Sequence, residues 1–267
     1  MLFYRGESCF NTDKIISVVG TRRATEYGES LTNKLIEVLK HLVPDTVIVS
    51  GFAYGIDIAA HKAALDANMK TIAVFGHGIE YVYPSLHKKY LKGVLENGCV
   101  CSEFQHNKKP DPGNFVSRNR IIAGLADATI VVESGEKGGA LITADMANSY
   151  NRDVFAFPGR TTDKLSRGCN KLIKSNMASL IESAEDMVKF LRWDVAGKAA
   201  PIQRSIFVDL PPEEDVLFQL LKDSSHVSLD DLSRISKMPV ATVSALLLSL
   251  EFKGIVKTLP GKNYALI

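Results

Sequence analysis

The chain has 267 residues, 46% hydrophobic and 23% charged, with 32 Lys and Arg against 30 Asp and Glu for a net charge of +2. This composition excludes a disordered chain, a collagen-like repeat and a disulfide-stapled miniprotein, and the length suits one large domain with a small appendage. The longest apolar runs, such as Ala245–Leu248 and Ile130–Val132, fall far short of the roughly 20 residues that cross a bilayer, and no secretory signal opens the chain. A soluble cytoplasmic protein with no membrane partner is expected.

In chain order, short β-rich runs alternate with helical patterns over the first 190 or so residues. Strands are predicted at Ile15–Val19, Thr46–Ser50, Lys70–Phe75, Gly98–Ser102, Thr129–Val132 and Asp153–Phe157. Helices are predicted over Tyr27–Leu42, where Leu31, Leu35, Val38, Leu39 and Leu42 recur at helical spacing, and over Ile56–Asn68. The strands are almost continuously apolar, as in a sheet covered on both faces, so the reading is a doubly wound, mostly parallel α/β sheet. The cysteines, Cys9, Cys99, Cys101 and Cys169, read as reduced, buried thiols; Cys99 and Cys101 lie too close along one strand for a relaxed disulfide or a zinc site.

The alternation fails between Trp193 and Pro212, whose Gly, Ala and Pro content suits a linker. Helices at Glu213–Lys222, Ser228–Lys237 and Val240–Lys253 follow, then strand-like runs at 255–258 and 264–266 about a turn at Pro260-Gly261-Lys262. Three helices and a hairpin predict a small winged-helix-like domain. The expected division is therefore 1–192, a linker at 193–212, and 213–267.

In an open parallel sheet, ligands sit off the carboxyl ends of the strands. The first loop there holds Gly20, Thr21, Arg22 and Arg23: either a phosphate site at a helix start, or a plain helix start with two solvated arginines. The second holds Ser50 and Gly51, with Asp57 and His61 one helical turn apart. Those two suit an acid–base pair or half a metal site, but no third ligand stands near, which favours a structural contact. The third runs from Glu103 to Arg120 and combines Lys108, Lys109, Phe115, Arg118, Asn119 and Arg120. Cations interleaved with an aromatic ring suit single-stranded nucleic acid, which needs backbone neutralisation and base stacking. The fourth, Glu133–Thr143, puts Lys137 before Gly138 and Gly139, an anion site that lacks the order of a phosphate-binding P-loop. Nucleophile elbow, zinc cluster and acidic metal pair are all missing, so a binding surface without catalytic residues, metal or cofactor is expected.

These residues carry a resemblance to the DNA-processing protein A family. The matching motifs are V-V-G-T-R-R at 18–23 with Tyr27-Gly28, S-G-x-A-x-G-I-D-x-x-A-H at 50–61, and Y-P at 83–84. They continue with S-E at 102–103, F-x-x-R-N-R-I-I-A-G-L at 115–125, V-V-E-S at 131–134, G-G-A-L-I-T-A at 138–144, R-D-V-F-A-F-P-G at 152–159 and G-C-N-K-L-I at 168–173. The resemblance implies an extended Rossmann-like domain followed by a winged-helix-like domain. It further implies a homodimer that binds single-stranded DNA and helps load RecA recombinase onto incoming DNA in natural transformation. By position, its DNA contacts would be Arg22, Phe115, Arg118, Asn119, Arg120 and Lys137 to Gly139; Gly20, Thr21, Arg23, Ser50 and Gly51 are expected beside them. Asn170–Leu180 is the expected dimer and RecA surface.

Three departures stand out. Many members carry a small helical domain ahead of the Rossmann-like part, expected here to be absent or removed because the chain opens at L-F-Y-R-G. Ser85 follows the Tyr-Pro pair where a basic residue is common, and Gly138-Gly139-Ala140 replaces a serine-containing turn. The segment Val240–Phe252 carries no Arg or Lys, so a protein-contacting or self-associating role is favoured over duplex reading through Lys257 and Lys262. A competing reading is a phosphoribohydrolase-like nucleotide enzyme on a related fold, although its Pro-Gly-Gly-x-Gly-Thr loop is missing. A winged-helix transcription factor is the third.

Overall fold

A computed structural model describes residues 1–193, 210–222, 227–253, 255–259 and 263–266. Two compact units, Met1–Lys198 and Ala199–Ile267, divide the chain. In the first, β1 (Phe3–Gly6), β2 (Ile15–Val19), β3 (Val47–Ser50), β4 (Thr71–Val74), β5 (Gly98–Ser102), β6 (Ala128–Val131), β7 (Asp153–Ala156) and β8 (Ser179–Leu180) form one eight-stranded sheet. Its order is β1-β5-β4-β3-β2-β6-β7-β8, and every pairing is parallel except β1 with β5. The chain winds outward from β2 to β5, then returns to β2's other flank for β6. The switch point of this Rossmann-like sheet therefore lies between β2 and β6, where ligand crevices form.

Burial on both faces explains the unbroken apolar strands. Within β2, Ile15 and Val19 join the core on one face while Ile16 and Val18 join the core on the other. Helices α1 (Glu26–Leu42), α2 (Ile56–Asp66) and α7 (Ala184–Phe190) contribute side chains to that second core. On the first face, α4 (Pro112–Leu125), α5 (Gly139–Ser149) and α6 (Arg167–Lys174) supply Ile122, Ala144 and Leu172. Helix α3 (Lys88–Glu96) adds Val94 to a smaller cluster with Phe52 and Phe75.

Three features differ from expectation, one of them β8, a two-residue edge strand beyond the expected series. The opening F-Y-R-G is strand β1, which pairs antiparallel with β5; it is too short and too exposed to show an apolar signal. The stretch 103–120 is not all loop, because α4 begins at Pro112. Asp111 caps it by accepting from the Gly113 N–H, and Pro112 occupies the first turn, where its missing N–H costs nothing.

The second unit packs α8 (Pro212–Lys222), α9 (Leu229–Ser236) and α10 (Val240–Phe252) around Leu217, Leu221, Leu232, Val243, Leu247 and Leu250. Strands β10 (Val256–Leu259), β11 (Asn263–Leu266) and β9 (Val227–Ser228) form a sheet in the order β10-β11-β9, completing a winged helix. The short strand β9 is an addition to the expected hairpin. Residues 194–209 of the expected linker and the turn at Pro260–Lys262 lie outside the described residues.

Asp57 and His61 do not pair with each other. His61 Nδ1 lies 2.7 Å from Thr71 Oγ1, whose only hydrogen goes to the Ile48 carbonyl at 2.9 Å. Nδ1 must therefore be the donor, and Nε2 is left buried without a partner. Burial drives the His61 pKa from 6.5 down to about 3. Below pH 6.5 the unfolded chain takes up a proton that the native state refuses, so stability is full above that pH and falls as pH drops towards 3. The loss from His61 is expected at about 1.4 kcal/mol per pH unit, with His77 and His87, also lowered by burial, acting in the same direction. Urea unfolding at pH 7 and at pH 5 measures it, and His61→Gln is expected to flatten the slope.

Candidate nucleic-acid interface

The carboxyl ends of β2, β3 and β4 meet the first turn of α4 around a small recess. Arg22, Gly51, Tyr54, His77, Tyr83 and Phe115 line it. Phe115 and Tyr83 stack with ring centroids 5.6 Å apart at 30°, and the Arg22 guanidinium stands 5.4 Å from the Phe115 centroid. Such cation–aromatic contacts are favourable but modest at an exposed site. Gly76 makes the packing possible, since a Cβ there would fall 2.7 Å from the Phe115 ring. His77 is buried with its pKa lowered by that burial, and its carbonyl accepts from Ser102 Oγ at 2.6 Å. The recess is thus an aromatic slot with a neutral imidazole and one exposed guanidinium.

Beneath it lies Arg118, which corrects an expectation. Only 3% of its surface is exposed, and its guanidinium donates to the carbonyls of Gly51, at 2.5 Å, and Val74, while Nε reaches Asn119 Oδ1 at 3.2 Å. Burial lowers its pKa to about 10, partly offset by the charge of nearby Asp57, whose own pKa burial raises. A Cβ on Gly51 would strike both Asp57 Oδ2 and Arg118, which explains the glycine. Arg118 therefore holds the ends of β3 and β4, and its buried guanidinium is not part of the exposed surface. Ser50 is likewise internal, donating to the Val18 carbonyl at 2.6 Å.

The helix start after β2 also differs from the phosphate-site reading. Its polar groups meet Glu133, which is buried at the end of β6: the carboxylate accepts from Thr25 N–H at 2.9 Å and Thr25 Oγ1 at 2.6 Å. Thr25 Oγ1 in turn accepts from Gly28 N–H, capping α1. The Glu133 carbonyl accepts from Thr21 N–H at 2.7 Å. The protein's own carboxylate occupies the place offered to a phosphate. Gly20 is a packing glycine, since its Cβ would fall 2.4 Å from Ile56.

Other expected residues divide by availability. Arg22 and Arg23 are exposed, and among the described residues neither forms a salt bridge. Arg120 is paired with Glu103, and Asn119 is half-buried against Arg118. Lys137 and Gly139 are exposed at the start of α5, but they stand outside the Phe115 recess. Gly138 has no room for a side chain, because its Cβ would lie 2.2 Å from Ser134 Oγ. The recess adds Tyr54, Gly76, His77 and Tyr83 to the expected DNA contacts. The Tyr-Pro pair at 83–84 was the one sequence signal for them, and it enters the recess through a cis peptide bond.

A model of the DNA recombination-mediator protein A family matches residues 1–192, and one of the DprA winged helix domain matches 207–262. Protein Smf of Synechocystis is 35% identical over 93% of this chain and 69% of its own length. The putative DNA processing protein DprA of Mycobacterium tuberculosis is 35% identical over 92% of this chain and 63% of its own. The chain thus spans about two thirds of such relatives. Among solved structures, the DNA processing protein A of Streptococcus pneumoniae matches at 41% identity and a TM-score of 0.66, covering 70% of this chain and 65% of that one. That of Helicobacter pylori, solved for its single-stranded DNA binding mode, matches at 30% and 0.66, covering 72% and 86%.

Arg118→Ala is expected to lower the unfolding free energy by about 3–5 kcal/mol, because it strands two buried carbonyls and leaves Asp57 without its countercharge. Arg22→Ala, at an exposed position, is expected within about 0.5 kcal/mol of the parent. Urea titration of both variants checks the difference.

Proposed function

The chain belongs to the DNA recombination-mediator protein A family, and on that premise we propose that it binds single-stranded DNA as a homodimer and helps load RecA recombinase onto incoming DNA in recombination and natural transformation. The observation that carries the DNA part is the slot of Phe115 and Tyr83 beneath an exposed Arg22. A base stacks on an aromatic face at about 1–3 kcal/mol whatever its identity, and a guanidinium beside the ring meets the adjoining phosphate. Further cations frame the slot. Lys108 is tied to its rim by its carbonyl, which accepts from Gly78 N–H at 2.8 Å, and exposed Lys109 follows it. Lys88 and Lys89 are exposed just beyond the Tyr83-Pro84 pair. The Helicobacter pylori relative's single-stranded DNA binding supports the same reading. The reading is one of binding rather than catalysis: rings, an exposed guanidinium and backbone dominate the slot, and the His77 imidazole is buried against Phe75.

Support for the dimer comes from the β8 edge of the sheet, within the Asn170–Leu180 segment. Met177 and Leu180 are 38% and 50% exposed there, and an unpaired edge with apolar side chains invites a partner. In the winged helix, Phe252 is 85% exposed on α10, where Val240 and Leu248 are also exposed. Lys253 is held by Glu214 at 2.6 Å. That apolar, cation-poor helix favours a protein contact over reading of duplex DNA.

Fluorescence anisotropy with labelled oligo-dT tests the DNA interface. The log of the affinity is expected to fall with log salt by about 0.7 per phosphate neutralised, with a shallower slope for Arg22→Ala. Phe115→Ala is expected to lose about 1–3 kcal/mol with the slope unchanged; binding equal to the parent in both variants would refute the interface. For the dimer, sedimentation of Leu180→Glu is expected to show monomer where the parent sediments as dimer.

A further inference from the structure

A second hollow, of about 950 Å³, opens at the sheet's switch point. It shares no lining residue with the Phe115 recess. The loop after β2 separates the two, turning Arg22 to one and Thr25 to the other. Its floor is Glu133, one wall is Tyr27 on α1, and the opposite wall is the segment 158–165 after β7 with Arg160, Asp163 and Lys164.

The cleft is built with specific supports. The Asn170 side chain clamps Gly159 from both directions, donating to its carbonyl at 2.9 Å and accepting from its N–H at 3.1 Å. The far end is pinned where Ser134 N–H donates to the Leu165 carbonyl at 2.8 Å. Two glycines are sterically required: a Cβ on Gly28 would fall 2.3 Å from Glu133 Oε2, and one on Gly159 would fall 2.0 Å from Ser166 Oγ. Tyr27 Oη approaches the Pro158 carbonyl at 3.4 Å and is 52% exposed. The Tyr-Gly, Val-Val-Glu-Ser, Phe-Pro-Gly and Gly-Cys-Asn motifs, which the DNA slot does not use, are thereby accounted for as its walls and struts.

The donor set selects a ligand class. Arg160 and Lys164 are exposed cations four residues apart on one wall, suited to a phosphate. Asp163 beside them and Glu133 on the floor accept hydrogen bonds, as the hydroxyls of a sugar require. Glu133 uses one contact on each oxygen for Thr25 and has lone pairs remaining. The Tyr27 ring supplies an apolar face for a base. The volume exceeds what a lone phosphate fills and lies in the range of small-molecule sites. An acidic peptide would set further carboxylates against Glu133 and Asp163.

We propose that this cleft is a second binding site, for a nucleotide: phosphate on Arg160 and Lys164, sugar towards Glu133 and Asp163, base against Tyr27. The nucleotide is a free ribonucleotide, because an internal unit of a DNA strand has no sugar hydroxyl to give to Glu133 and Asp163. The site does not depend on the Phe115 recess being a DNA slot.

Calorimetric titration of the full chain with AMP, alongside anisotropy with oligo-dT, tests it. Arg160→Ala/Lys164→Ala removes the phosphate wall at exposed positions, and Arg22→Ala/Phe115→Ala removes the other recess. AMP binding that weakens about tenfold or more in the first variant and persists in the second supports a free nucleotide. If AMP does not bind, the proposal is overturned, and a loss of oligo-dT binding in the first variant then reports phosphate contacts of the strand alone. If the first variant leaves both AMP and oligo-dT unaffected, or AMP binding fails only in the second, the proposal is overturned. Loss of oligo-dT binding confined to Arg22→Ala/Phe115→Ala reports on the DNA slot alone, so the two readings fail separately.

Discussion

A single buried cation organises the ligand edge of this sheet. At the ends of β3 and β4 stand the buried carbonyls of Gly51 and Val74, and a buried carbonyl left unpaired is costly. Arg118 answers both with one guanidinium, and Asp57 supplies countercharge nearby. Because Arg118 sits one turn after Phe115 on α4, the anchoring of one side chain sets the position of the other. The aromatic slot is therefore fixed before any ligand arrives, which spares binding the cost of ordering it.

The same edge is divided by a single loop. Between β2 and α1, Arg22 leans over Phe115 while Thr25, three residues later, is bound to Glu133. The slot lies towards β3 and β4, and the larger cleft towards β6 and β7. Glycines at Gly28, Gly51, Gly76 and Gly159 serve close approach, each with a neighbouring side-chain atom where a methyl group would stand. The motifs that carry the family resemblance are largely these contacts and the residues they admit.

The central strands and long helices were legible because burial on both faces leaves unbroken apolar runs, and α1 shows a helical stripe. Strand β1 was not, since a half-exposed edge strand of four residues carries no period. The start of α4 is written in Asp111-Pro112, but the basic, loop-like composition around it masks that signal. Arg118 and Glu133 were illegible for another reason. Their partners lie 67 and 108 residues earlier in the chain, and nothing local distinguishes an arginine that will be buried from one that will stay in water. Motif resemblance marked both positions and left their work undefined: one braces loops, the other holds Thr25, which caps α1.

The Glu133 carboxylate makes the positive end of the α1 dipole self-neutralised. A fold of this kind commonly leaves that pole vacant for a visiting phosphate, whereas here an anion is carried covalently, 108 residues further along the chain. The dipole is thus spent on cohesion between β2 and β6. Attraction for a polyanion falls to exposed side chains such as Arg22, Lys108 and Lys109. Ionic strength then acts on recognition without loosening the sheet, because dissolved ions screen solvated cations far more than a buried carboxylate–amide contact.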